Sequence, residues 1–182
     1  MLTRLMNRTY FLIAVGAAVL ATFGGCGPKW TVLEAADPNP LRAARSFDVR
    51  PLTFTGLQVG GGPEAAYLSK KEDKTRAGWR EDKAALASSL ARTVARYGGE
   101  RSLQVTERGA KYTVHLNCDF IEPGYYAFMA SQPSVVRVTA EIRQGSKLID
   151  KILFTSATNP DPLAGNLALG QRMRSDGAML GE

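Results

Sequence analysis

One histidine, His115, and two cysteines, Cys26 and Cys118, are all the chain offers of the side chains that most often serve as general base, thiol nucleophile or soft metal ligand. His115 has no second ligand at metal spacing, and neither His-Glu-x-x-His nor Cys-x-x-Cys occurs, so no metal site is expected. Serine acyl transfer lacks its signatures too, because Gly-x-Ser-x-Gly and Ser-x-x-Lys are both missing. Gly60-Gly61-Gly62-Pro63 is not followed by Gly-Lys-Ser/Thr and reads as a connection, not a phosphate cradle. Asp119 and Glu122 come nearest to a carboxylate pair. Acid–base work on a glycan needs two such groups facing one gap with split pKa values, and these two straddle a strand end beside Pro123. They define the one enzymatic alternative, a cell-wall-acting enzyme. No catalytic residue and no cofactor is otherwise assigned.

A different chemistry is offered by Glu122-Pro123-Gly124-Tyr125-Tyr126-Ala127-Phe128-Met129. Aromatic residues and methionine are enriched where proteins bind one another, which makes Tyr125, Tyr126, Phe128 and Met129 the candidate partner-contact residues. The competing reading is that they fold back over an open end of the core.

The N-terminus fixes a compartment. Arg4 and Arg8 precede an uncharged run from Thr9 to Gly25 that is shorter than the roughly 20 apolar residues of a spanning helix, so an export signal is expected and a retained anchor is the alternative. The run closes with Phe23-Gly24-Gly25-Cys26, which resembles the lipobox of bacterial lipoproteins, with Phe23 standing where Leu is usual. The resemblance implies cleavage before Cys26, diacylglycerol on its thiol and an acylated new N-terminus. Gly27, in place of the Asp that resembles an inner-membrane retention signal, implies the outer membrane, with the domain facing the periplasm. Two or three acyl chains hold a protein where one alone is marginal, because each buried methylene contributes about 0.8 kcal/mol. Loss of residues 1–25 removes two positive charges and no negative ones, leaving 21 − 17 = +4 from an original +6. That excess is too diffuse to suggest nucleic acid. With Cys26 acylated, Cys118 has no disulfide partner and is expected to be a buried, inert thiol.

Residues 26–45 carry Pro28, Pro38 and Pro40 without periodicity and suit a flexible tether; residues 46–182 then form a single domain. Phe47 to Leu57 reads as a strand bent or edged by Pro51. From Arg76 to Tyr97, the residues Trp79, Leu86, Leu90, Val94 and Tyr97 share one helical face, opposite Glu81, Asp82, Ser89, Arg92 and Arg96. Lys83 lies in the apolar stripe and is expected to lay its stem along it with the head in water. A short strand is expected at 102–106. Tyr112, Val114, Leu116, Cys118 and Phe120 alternate with polar residues, as do Val136, Val138, Ala140 and Ile142, and Gln144-Gly145-Ser146 should turn the second strand into a hairpin. Asp161 and Pro162 could open a final helix in which Leu169, Met173 and Leu180 share a face. The order β-α-β-β-β-β-α predicts an α+β two-layer sandwich, an antiparallel-rich sheet of about 4–5 strands with two helices on one face.

The strand from Tyr112 to Phe120 running into Pro123-Gly124, with Gln171-Arg172-Met173-Arg174 and Leu180-Gly181-Glu182 at the close, resembles small outer-membrane lipoproteins of unknown function. Their domain is like that of the curli-secretion lipoprotein and the N-terminal domain of the Tol-system propeller protein. The expectation is a lipid-anchored, non-enzymatic binding or assembly module whose partner is an envelope protein or peptidoglycan. A carrier of an apolar ligand between sheet and helix is the other alternative.

Overall fold

The computed structural model describes residues 30–127 and 130–182. Among the described residues there are ten strands: β1 Trp30–Ala35, β2 Ser46–Val49, β3 Gln58–Val59, β4 Gly62–Pro63, β5 Gln104–Thr106, β6 Tyr112–Glu122, β7 Tyr125–Ala127, β8 Ala130–Gln132, β9 Ser134–Gln144 and β10 Lys147–Thr158. The helices are α1 Glu64–Ser69, α2 Asp73–Glu100 and α3 Leu169–Leu180, with a 3₁₀ turn at Pro40–Ala43. Eight strands form one mixed sheet whose main path is β1-β10-β9-β6-β2-β5, while β7 and β8 make a separate two-stranded ribbon.

This corrects the expected sandwich of 4–5 strands and two helices. β1 lies in the stretch read as tether. All six of its residues are exposed, so no buried face imposes a period of two and alternation could not reveal it. β3 and β4 have two residues each and show no period; Gly60 and Gly61, with φ of 57° and 86°, make the tight turn between them. The sheet is mixed where an antiparallel-rich one was expected. β2 runs parallel to both β5 and β6, and β3 parallel to β6, because the 28-residue α2 carries the chain back across the sheet.

The strong alternations did form strands. β6 pairs antiparallel with β9, and β9 with β10 through a two-residue turn at Gly145-Ser146 where Gly145 has φ 60°. Their inward residues Cys118, Ile121, Val136, Val138 and Ile149 are buried, most of them against Trp79, Leu86 and Leu90 of α2 and Met173 of α3. Pro51 does break the first strand: backbone bonding to β6 resumes at Thr53, whose N–H donates to Leu116 O at 3.0 Å.

α3 begins at Leu169, not at Asp161 and Pro162; Asp161 instead caps a loop turn, accepting from Leu163 N–H at 2.8 Å. α3 lies tightly on α2, because a β-carbon on Gly177 would come within 2.5 Å of Leu86 O and one on Gly181 within 2.7 Å of Thr93 Cβ. The same contact buries Ser89 and half-buries Asp82, two residues that helical periodicity placed on the wet side of α2.

Candidate functional site

The expected carboxylate pair is not assembled. Asp119 lies on the outer, helix-free face of the sheet, where Arg137 Nε donates to it at 2.6 Å and Thr139 Oγ1 at 3.4 Å. A bulge between Cys118 and Phe120 shifts the register, and Glu122 stands by Gly60 and accepts from Gly124 N–H at 3.4 Å. The two acids therefore do not face one gap, and Asp119 is already neutralised by a cation.

The outer face is a shallow polar trough of about 620 Å³, floored by β6, β9 and β10 and walled by residues 50–55 and Leu33 of β1. His115 is exposed on this floor, opposite Glu141 in the β6–β9 register. Glu141 is held below the usual carboxylate value by hydrogen bonds from Arg143 at 2.8 Å and Lys151 at 3.2 Å. Among the described residues no group of three or more His, Cys, Asp or Glu could hold a metal. Cys118 is fully buried, and desolvation pushes its thiol up to about 12, so it carries no thiolate at neutral pH.

Lys83 is not a snorkelling side chain. Its Nζ donates to Glu64 Oε1 at 2.7 Å and sits 4.8 Å from the Phe54 ring centre. Trp79 Nε1 donates to the same carboxylate oxygen at 2.6 Å. Burial pushes Glu64 upward, but these two donors outweigh it and hold the group below its ordinary value. The cluster ties α1 to α2 and has no open position for a substrate.

Between sheet and helices, where α2 and α3 end, lies an apolar cleft of about 450 Å³. Val114, Leu116, Ala140, Ile142 and Phe154 of the sheet form its floor, and Val94 and Tyr97 of α2 its roof. Arg101 stands at its mouth against the Tyr97 ring, 5.2 Å from the centroid, and Glu182 closes the far lip. The volume falls in the range of small-molecule pockets, and the wall is almost wholly apolar, with Phe47, Tyr97 and Phe154 among aliphatic side chains. Sequence periodicity placed Val94, Tyr97, Val114, Leu116, Ala140 and Ile142 on inward faces but gave no sign that a space is left between them.

The opposite end of the sheet carries the ribbon. Tyr125 and Tyr126 are 50% and 49% exposed, so they do not fold back over the core. Phe128 and Met129 lie outside the described residues, as does Cys26. Beside the ribbon, residues 159–168 form a loop with Leu163 at 97% and Leu167 at 41% exposure. One buried guanidinium joins the two: Arg172 donates from Nη2 to Pro123 O at 2.9 Å and from Nη1 to Leu167 O, leaving its Nε without a partner. Next to it Asp176, fully buried, accepts from Ser134 at 2.8 Å, Ser156 at 2.8 Å and Thr158 at 2.7 Å. Burial pushes this carboxyl above the usual aspartate value against those three donors. In the sequence Arg172 stands only as part of the closing Gln171-to-Arg174 stretch and Asp176 carries no signal, since a buried charge on a helix has no periodic signature.

No family model and no curated protein matches the chain. Solved structures do. The PelC dodecamer from Paraburkholderia phytofirmans shares 15% identity, with 75% of this chain and 86% of that one covered and a TM-score of 0.38. A point variant of that dodecamer in another crystal form gives 16%, 83%, 90% and 0.37. Protein XCC0632 from Xanthomonas campestris, of the DUF330 family, gives 17%, 52%, 58% and 0.35.

Proposed function

We propose that the chain is a lipid-anchored cell-envelope protein, acylated at Cys26 and held at the outer membrane facing the periplasm, whose folded domain binds and does not catalyse. The observation that carries the binding reading is the cleft of about 450 Å³ with its apolar floor and roof. Such a surface gains free energy by leaving water, and the charged residues that line it, Arg101 and Glu182, stand at its rim. The separation of Asp119 from Glu122, and the ion pair already made by Asp119, support the same reading. An extended aliphatic chain is the chemistry that fits, which favours the carrier among the alternatives over the hydrolase.

The test is a titration of the polypeptide 30–182 with a fluorescent long-chain fatty acid. Saturable binding is expected, and Ala140→Phe, which fills the cleft floor, should weaken it at least tenfold while the circular dichroism spectrum stays the same. Equal binding by Ala140→Phe would remove the cleft from the proposal. The anchor is tested separately by mass spectrometry of the mature N-terminus; an unmodified Cys26, or an intact Met1 on protein from its own host, would overturn it.

A further inference from the structure

The register of the sheet says at which end the chain enters the domain. Trp30 lies opposite Phe154 and Ala35 opposite Asp150, so β1 starts toward the end where β10 finishes. Thr158 at that end pairs with Ser134, and Glu122 with Val135, which places the ribbon and the loop 159–168 there as well. Cys26 precedes Trp30 by four residues, and covalent geometry limits such a lead to about 14 Å. Trp30 stands four residues short of Thr158 along β10, so this lead is just long enough to bring Cys26 to the end that carries Tyr125, Tyr126, Leu163 and Leu167.

The ribbon and the loop at that end have the chemistry of a bilayer interface, with α1 and the charged Lys70 and Lys71 after it beside Glu122 as their neighbours. Across segments 123–132 and 159–168 the only charged residue is Asp161, one in twenty, where the chain as a whole is 22% charged. Tyr125, Tyr126, Leu163 and Leu167 expose large apolar surface, and Trp30 at the start of β1 is 51% exposed. Tyrosine and tryptophan suit a boundary that is apolar on one side and wet on the other. The backbone clamp of Arg172 on Pro123 and Leu167 holds ribbon and loop as one unit.

We propose that this end of the domain docks on the surface of the membrane that holds its lipid, with Tyr125, Tyr126, Leu163 and Leu167 entering the headgroup boundary. The inference rests on acylation at Cys26 as proposed above. With no basic residue in either segment, the contact is made by apolar insertion and not by attraction to anionic lipid.

The full-length protein, acylated by its host, is reconstituted into phosphatidylcholine vesicles carrying brominated acyl chains. An environment-sensitive fluorophore is placed on Leu163→Cys or, as the control, on Ser146→Cys in the turn at the far end; buried Cys118 does not compete for the label. Emission from position 163 should shift to the blue and be quenched by bromolipid at least twofold, and position 146 should do neither. Tyr125→Ser with Tyr126→Ser, exposed changes that leave the core intact, should reduce the quenching at 163. Raised salt should leave it unchanged. If the protein floats with the vesicles but position 163 is as wet as 146, the docking is wrong and the anchor stands. If the protein does not float, the anchor reading fails and this inference falls with it. Shielding of 163 only when a co-purified protein is present would replace the bilayer with a protein partner.

Discussion

Asp176 and its three hydroxyl partners show how a single buried acid fastens a helix to a sheet. Ser134 stands at the start of β9, Ser156 and Thr158 at the end of β10, and all three donate to one carboxyl on α3. Asp176→Ala leaves three hydroxyls without their acceptor and is expected to cost about 2–4 kcal/mol, read from urea unfolding. Asp176→Asn keeps an acceptor oxygen and should cost less. The pH dependence separates the two effects. Because burial raises the folded pKa, the native state holds its proton where the unfolded chain, titrating near pH 4, has lost it. Stability from this group therefore falls as pH rises from about 4 through the folded value, and Asp176→Asn should remove that slope. Glu64 and Glu141 act in the opposite sense: their lowered values give stability that is complete above the unfolded carboxylate pKa and is lost on acidification through the folded one.

Elements with one buried and one wet face were legible in the residues, and elements without that contrast were not. Tyr112, Cys118 and Val138 announced β6 and β9 because each has a polar neighbour on both sides. β1 has no dry face and β3 only two residues, so period two could not appear in either. Helix α2 runs through Gly98-Gly99 and ends one residue beyond the pair. Gly98 serves packing there, since a β-carbon would meet Val105 Cγ2 at 2.6 Å. The cleft between sheet and helices could be raised from the sequence only as an alternative for a related reason: periodicity tells which side chains point inward but not how closely the two layers meet. Gly177 makes the helix pair testable. Gly177→Ala would press a methyl into backbone atoms of Leu86 and Leu90, which cannot yield as a side-chain tip can. It should cost about 1–3 kcal/mol in urea unfolding and push α3 away from α2. Gly99→Ala has open space around it and serves as the control within α2.

The molecule as a whole has two unlike ends. One holds the ribbon, the loop 159–168 and the entering chain; the other holds the open cleft between the ends of α2 and α3. Under the proposed anchoring the cleft faces away from the membrane. A fluorophore on Arg101→Cys at the cleft mouth should accordingly be quenched by iodide and not by bromolipid when the protein sits on vesicles, the reverse of the pattern expected at position 163. Similar quenching by bromolipid at both positions would mean that the domain tumbles freely on its lead or lies on its side.

The placement of β1 has a mechanical consequence. Its ladder bonds to β10 lie across the strand direction, and the lead enters at the end from which the strand runs inward along its neighbour. A tug on that lead along the strand axis loads the bonds of the ladder together, in shear, instead of opening them one after another from a free tip. The attachment is thus strongest in the direction from which drag on a tethered body would come.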